Sequence, residues 1–347
     1  MTQNRRSFLQ TALFAALSTQ LSPRLLAAGP RGTSLKPRRL VAGATVGLVS
    51  PASATWLTEE LDIVQETVAA LGLKVKLGKH VLDRYGYLGG KDLDRAADVN
   101  AMFKDDSVDA ILCVRGGWGC NRILPLLDYP AIAAHPKILL GYSDITSLLM
   151  AIYAKTGLVT FHGPVGVSNW NSFSLDFIRR ILFAGEAVAM NNPAKVGEGL
   201  VVTKDRIQTI TSGSASGRLV GGNLTVLTAM LGSEYLPDWS GALLFLEDTN
   251  ESVYRIDRML TQLKLAGVLD RIAGFVFGKC TKCDPGEGHG SLTMEEVLSD
   301  HIKPLKIPAW SGAMIGHIDS KFTVPVGVRA EINADRGTIT LLEAAVR

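Results

Sequence analysis

The stretch "KILLGYSDITSLLMAIY", Lys137 to Tyr153, decides how this chain is read. Its apolar run Ile138-Leu139-Leu140 has the composition of a short buried strand. It stops at Gly141-Tyr142-Ser143-Asp144, and Leu148, Leu149 and Ile152 follow at helical spacing. A strand, a tight turn and a helix therefore meet at a serine. Ser and Asp at such a junction can simply cap the helix, because their oxygens accept from its free N–H groups. A serine there can also be a nucleophile raised on a sharp turn, as in the Gly-x-Ser-x-Gly elbow. Ile145 stands where that pattern has its second glycine, so the motif alone leaves the cap as the default reading.

Outward from this stretch the same grammar repeats. Thr45 to Ser50 reads as a buried strand, and Leu57 to Leu71 as a helix closed by Gly72. Lys74 to Leu77 reads as a second strand, Leu93 to Phe103 as a helix, and Ala110 to Val114 as a strand running into Arg115-Gly-Gly-Trp-Gly119. Strands alternating with helices predict an α/β fold with a Rossmann-like, mostly parallel sheet, whose ligands collect beyond the carboxyl ends of the strands. Residues 171–200 read as a connecting segment. Beyond them the texture turns to short strands with Gly and Ser turns over Thr209 to Gly222, a strand Ala242 to Leu246, a helix Tyr254 to Leu265 and a strand Gly274 to Phe277. Thr323 to Leu342 alternates like a strand pair turning at Ala334-Asp-Arg-Gly337. The expected division is an N-terminal domain over 41–170 and a smaller, β-rich α/β C-terminal domain over 201–347.

The 347 residues, 47% of them hydrophobic, suffice for such cores and exclude collagen, coiled coil and disorder. The first 28 residues differ from the rest: Arg5-Arg6-Ser-Phe-Leu, a short apolar stretch from Thr11 to Leu17, then Leu26-Ala27-Ala28. That is the pattern of a secretory signal of the twin-arginine type, with a mature start near Gly29 and a linker over 29–40. The leader carries Arg5, Arg6 and Arg24 and no acid, so 36 basic against 33 acidic residues become 33 against 33. Without Arg31, Lys36, Arg38 and Arg39 of the linker they become 29 against 33. The apparent basicity belongs to leader and linker, which argues against a nucleic-acid partner, and no later segment has the length of a membrane span. A periplasmic protein is expected.

Four cysteines do not make a disulfide framework in a chain this long. Cys280-Thr-Lys-Cys283 has the spacing of a zinc or redox pair, with His289 in the following glycine-rich loop as a conceivable third ligand. No second Cys pair or His pair stands at finger spacing, so a local disulfide or free thiols are the expectation, and metal and cofactor are expected to be absent. Cys113 and Cys120 read as small buried apolar residues.

A serine nucleophile needs a base within reach, and the base needs an acceptor to orient it. Of six histidines, His80, His135, His289 and His301 lie in loops or a helix-like stretch. His162 in Phe161-His-Gly-Pro164 and His317 in Ile315-Gly-His-Ile318 both follow apolar runs, and periodicity does not choose between them. For the acid, the run Ala242 to Leu246 ends on Glu247 and Asp248, which could equally be solvated strand-end carboxylates. The glycines at 116, 117 and 119 could turn backbone N–H groups toward a developing oxyanion.

Taken together, "RGGWGCNRILPLLD", "PKILLGYSDIT", "TFHGP", "LFLEDTNESVYRIDRML" and "GHIDSKFTVPVG" resemble, in the same order, the motifs of the LD-carboxypeptidases. These serine peptidases include the muramoyltetrapeptide carboxypeptidases and the microcin C immunity peptidase. The resemblance covers about Thr45 to the C-terminal strand pair. It implies Ser143 as nucleophile, Glu247 as orienting acid, His317 as base, and an oxyanion hole from the N–H groups of Gly117 and Asp144. It also implies a homodimer without cofactor that releases a terminal D-amino acid, typically D-alanine, from a murein tetrapeptide in cell-wall recycling. Trp118 stands where the family often has tyrosine, and Cys280-x-x-Cys283 is no part of the pattern. The same machinery directed at peptidyl-nucleotide antibiotics is one alternative; an exported binding protein that merely clasps a small ligand is another.

Overall fold

The computed structural model describes residues 34–193, 201, 203–283 and 290–347. The leader, residues 29–33 of the expected linker and His289 lie outside them. The first half of the chain lays down β1 (Thr45–Val49), α1 (Thr58–Ala70), β2 (Lys74–Leu77), α2 (Asp92–Lys104), β3 (Ala110–Cys113), the short α3 (Cys120–Ile123) and α4 (Tyr129–Ala134). Next come β4 (Ile138–Gly141), α5 (Thr146–Thr156) and β5 (Thr160–His162). β3 and β4 are buried at every position, as strands covered by helices on both faces must be. Residues expected to be linker are not loose. Lys36 pairs with Glu343 at 2.8 Å, Leu40 is buried, and the backbones of Arg39 and Arg347 are joined by a 3.0 Å hydrogen bond. A segment with an apolar anchor and a carboxylate partner becomes a strap.

Residues 171–200 begin with α6 (Ser172–Ile178) and include the edge strand β6 (Ala189–Asn191). The second half contributes β7 (Gln208–Thr211), β8 (Ser214–Asn223), α7 (Leu224–Ala229), β9 (Leu243–Thr249), α8 (Val253–Leu265), β10 (Gly274–Thr281), α9 (Met294–Ile302) and β11 (Ala309–Ser311). It ends with β12 (Val324–Val326), β13 (Arg329–Asn333) and β14 (Thr338–Leu341).

The first sheet runs β12-β5-β4-β3-β1-β2, with β1 to β5 parallel and β12 antiparallel. The order 2-1-3-4-5 is that of a doubly wound sheet whose strand order reverses between β1 and β3, the place where such sheets bind ligands. The second sheet runs β6-β14-β13-β8-β9-β10-β11-β7, parallel from β8 to β11 and antiparallel at its flanks. The expected strand pair is the β13–β14 hairpin. Val324–Val326, expected to lie with it, instead crosses to the first sheet and pairs with β5, so the last part of the chain belongs to both sheets.

α5 is buried along Thr146–Tyr153, apolar nearly all round, and lies against β4, β8 and β12. A helix with no wet face has to be enclosed. Here the enclosing walls are the two sheets, and the Thr146 Oγ1 accepts from Asn223 N at 3.0 Å across that seam. The turn that carries Ser143 is thereby placed between the halves of the molecule.

Candidate active site

The turn after β4 holds Ser143 at φ 64°, the left-handed region that costs an L-residue about 1–2 kcal/mol. A single 3-10 turn, Ser143–Ile145, then leads into α5. The strain lifts the hydroxyl off the strand axis beside the N–H groups that open the helix. Ile145 fills the place of the elbow's second glycine because its side chain is buried there. The glycine that makes room is Gly141, where a Cβ would come within 2.9 Å of Ile145 Cγ2. Neither Ser143 nor Asp144 caps the helix with its side chain. The Asp144 carboxylate turns away and accepts from Cys120 N at 2.8 Å, joining the serine turn to the glycine loop.

Glu247 sits on β9 with β8 and β10 on either side, fully buried. His317 lies between β11 and β12, its carbonyl accepting from Thr281 Oγ1 at 2.9 Å. His317 Nε2 is 3.0 Å from Ser143 Oγ and His317 Nδ1 is 2.8 Å from Glu247 Oε2. Burial pushes the Glu247 carboxyl up, but His162 and His317 beside it more than offset this and hold it down at about 2. Of the two, His317 at 2.8 Å is the closer partner; His162 Nε2 stands 3.8 Å from Glu247 Oε1, beyond hydrogen-bond range. Both of those atoms are buried without a hydrogen-bond partner among the described residues. The choice that periodicity left open between His162 and His317 is thus made by distance: His317 reaches the serine, while His162, at the end of β5, packs edge-on against Phe245 behind the acid.

The packing roles of Tyr142, Lys321 and Arg95 escape sequence reading. Tyr142 tilts over His317 with ring centroids 4.9 Å apart, and the Lys321 ammonium lies 5.0 Å from the Tyr142 ring. Lys321 is buried, and burial brings its ammonium down to about 8. Arg95, in a stretch that reads as an amphipathic helix, is buried and donates to the carbonyls of Pro51 and Gly119. Asp248, the carboxylate after Glu247, is raised to about 6, first by burial and then by the Glu247 charge. It accepts from Asn223 and Thr225 and holds α7 against β9. A lysine and an arginine inside a core give no periodic signal, and here each has a polar residue directly before it, Ser320 and Asp94, as a surface position would.

A cleft of about 830 Å³ opens at these strand ends, with Ser143, His317, Asn223, Arg115 and the Gly116–Trp118 turn on its walls. Gly117 has φ 120°, and a Cβ there would fall 2.0 Å from Ser53 Oγ, so only glycine lets this turn approach the β1 loop. A hydroxyl, an imidazole and a carboxylate in series have the parts for acyl transfer, and the glycine turn passes close to the hydroxyl, where a Cβ on Gly116 would fall 3.1 Å from Ser143 Oγ. The metal alternative for Cys280 and Cys283 falls away, because the two form a disulfide and offer no thiolate. Cys113 and Cys120 are buried free thiols, as expected. His80, Asp83 and Asp94 bring ligand atoms within 4.8 Å of one another on the surface, with His80 Nδ1 already engaged by Asp83 at 2.7 Å. No helix among the described residues is long and apolar enough to cross a membrane.

Comparison with known proteins identifies the family. The LD-carboxypeptidase N-terminal domain matches residues 46–163 and the LD-carboxypeptidase C-terminal domain matches residues 216–332. The probable murein peptide carboxypeptidase of Bacillus subtilis is 40% identical over 90% of this chain and 95% of its own. The murein tetrapeptide carboxypeptidase of Pseudomonas aeruginosa is 32% identical over 84% of this chain and 94% of its own. Among solved structures, the microcin C7 self-immunity protein superposes with a TM-score of 0.81 at 29% identity, covering 90% of this chain and all of that one. It has also been solved in complex with aspartyl sulfamoyl adenosine. The serine on its strained turn lies inside a fold shared from β1 to β13, and the chain belongs to the LD-carboxypeptidase family of serine peptidases.

Proposed function

We propose that this carboxypeptidase cleaves the bond between an L-centre and a terminal D-amino acid, releasing D-alanine from murein tetrapeptides. The observation that carries the mechanism is the relay Ser143 Oγ, His317 Nε2, His317 Nδ1, Glu247 Oε2 at 3.0 and 2.8 Å on the wall of the cleft. In this reading His317 takes the Ser143 proton as Oγ attacks the scissile carbonyl. The N–H groups of Gly117 and Asp144 stabilise the oxyanion, each donor being worth roughly 2.7–4 kcal/mol. His317 then protonates the departing amine, and water, activated by the same imidazole, releases the acyl group from Ser143. Glu247, ionised, fixes the His317 tautomer and stabilises the imidazolium. Mass spectrometry of products from a muropeptide mixture tests this. The expected result is loss of one alanine from tetrapeptides, abolished in Ser143→Ala; unchanged turnover in that variant refutes it.

The likeness to the self-immunity protein, with its aspartyl sulfamoyl adenosine complex, favours a second reading in which the acyl donor is an aminoacyl or peptidyl nucleotide. Comparing kcat/KM on the two substrate classes separates them. We also propose that the protein works in the periplasm, exported through Arg5-Arg6, and works as a homodimer. Export should fail when both arginines become lysine, and unimpaired export of that variant removes the twin-arginine assignment.

A further inference from the structure

We propose that the outer rim of the cleft is a saccharide subsite, built from Trp56, Tyr87 and Trp118, that holds the sugar to which a murein peptide is attached. The inference rests on the reading of the cleft as a murein-peptide site. These three rings line the cleft that contains Ser143, yet remain 57%, 62% and 69% exposed. Large aromatics are normally drawn into cores, and three of them open to water around one cleft mark a binding surface.

The rim is built rather than incidental. Trp56 stands on the loop after β1, Tyr87 on the loop after β2 and Trp118 on the loop after β3, and the three loops are tied together. Ala54 N donates to the Tyr87 carbonyl at 3.0 Å, and Trp118 N donates to Ser53 Oγ at 3.2 Å. The Arg84 guanidinium lies 4.6 Å from the Trp56 ring centre and steadies it. The rings therefore wait in place, and little side-chain freedom is lost on binding.

Geometry selects the ligand. Tyr87 and Trp118 meet at an interplanar angle of 74° with centroids 6.3 Å apart. A flat base sandwiched between rings needs two nearly parallel faces, and this corner offers none. A pyranose fits it: one face is a patch of C–H groups that settles on the electron-rich face of a ring, while its hydroxyls and N-acetyl group point sideways. Arg115 on the same wall is held by the Ala54 carbonyl at 2.9 Å and the Glu60 carboxylate at 3.3 Å, and of the five N–H groups of a guanidinium two are left for such groups. In murein the tetrapeptide hangs from muramic acid by its amino end, so a sugar necessarily travels at the far end of the peptide from the bond cut at Ser143.

The test uses the mature chain and the variants Trp56→Ala, Tyr87→Ala and Trp56→Phe. It compares kcat/KM on N-acetylglucosaminyl-N-acetylmuramoyl tetrapeptide, on the free tetrapeptide and on aspartyl sulfamoyl adenosine. Wild type should prefer the glycosylated peptide by about ten-fold, the equivalent of 1.4 kcal/mol, with the gain in KM. Each alanine variant should bring the ratio toward one, and Trp56→Phe should keep most of it. Titration of wild type with the peptide-free disaccharide, followed by tryptophan fluorescence, should saturate and should weaken in the alanine variants. A ratio of one in wild type, a parallel loss on glycosylated and free peptide in the variants, or no response to the disaccharide overturns the saccharide subsite. A loss confined to aspartyl sulfamoyl adenosine overturns it in favour of a base. Disaccharide binding with no D-alanine released from either peptide would instead overturn the proposed reaction and leave the subsite standing.

Discussion

Replacing Ser143 by glycine should make the protein more stable than replacing it by alanine, although both variants should be inactive. Ser143 sits at φ 64°, where a Cβ crowds the backbone at a cost of about 1–2 kcal/mol. Both substitutions remove the hydroxyl and its 3.0 Å contact with His317, so their difference isolates the Cβ. Glycine relieves the strain but adds freedom to the unfolded chain, which costs about 0.5–1 kcal/mol. The net gain over alanine is about 1 kcal/mol, or about 1–2 °C in Tm at an unfolding entropy of roughly 2.1 cal/mol/K per residue. Urea denaturation of both variants, followed by circular dichroism, reads it as a shift in midpoint at constant slope. A glycine variant no more stable than the alanine variant would refute the claim that the turn stores strain. Ser143 would then be exposed by packing alone.

Glu247→Gln should lower kcat by about 10⁴-fold while changing KM little, because the amide keeps the imidazole in place but favours the wrong tautomer and cannot balance its charge; D-alanine release at saturating peptide measures this, and a loss under ten-fold would remove Glu247 from the relay. Asp248, raised from 3.8 to about 6, holds its proton in the folded protein over a range where the unfolded chain has lost it. Relative to Asp248→Asn, wild type should therefore lose stability as pH rises from 3.8 to 6 and show a constant difference above 6, read from urea midpoints at each pH; a difference flat throughout contradicts the assignment. Reducing Cys280–Cys283 with a dithiol, or replacing both by serine, should lower kcat by about three- to ten-fold, because Thr281 between them holds the His317 carbonyl. One lost hydrogen bond of about 1 kcal/mol sets that scale, and unchanged kcat in the double serine variant would show that the disulfide acts elsewhere.

Most elements were legible because their signals are local. Lys74–Leu77 was bounded to the residue, and the helices over 58–70, 92–104 and 253–265 within two, because Gly72, the apolar spacing and the strand runs act within a few residues of themselves. The nucleophile turn was visible as an interruption between two strong patterns. What the sequence hid is set at long range. His162 and His317 carry the same local signature, and only the packing of β5 and β9 puts one behind the acid and the other in front of it. The crossing of Val324–Val326 to β5 was hidden for the same reason: a short apolar strand fits either sheet, and the choice depends on which edge is open. The strap over 34–40 was masked by Pro37 and its arginines, which resemble a linker until Glu343 supplies Lys36 with a partner.

The placement of the acid follows from where its charge has to act. A carboxylate at the surface would be screened by water and would influence His317 weakly. On β9 it has no solvent, and its burial would push its proton affinity up were it alone. Two imidazoles reverse that, and His317 is the one in hydrogen-bond contact. His162 adds to this at 3.8 Å without a hydrogen bond to the serine, which makes the buried charge easier to hold. The same logic places the seam. Ser143 belongs to the first sheet and Glu247 to the second, and the segment carrying His317 continues into β12, which returns to the first sheet. A chain that must bring a base to a serine from another sheet gains from anchoring the far end of that segment to the serine's own sheet, because β12 then fixes the distance that the proton has to cross.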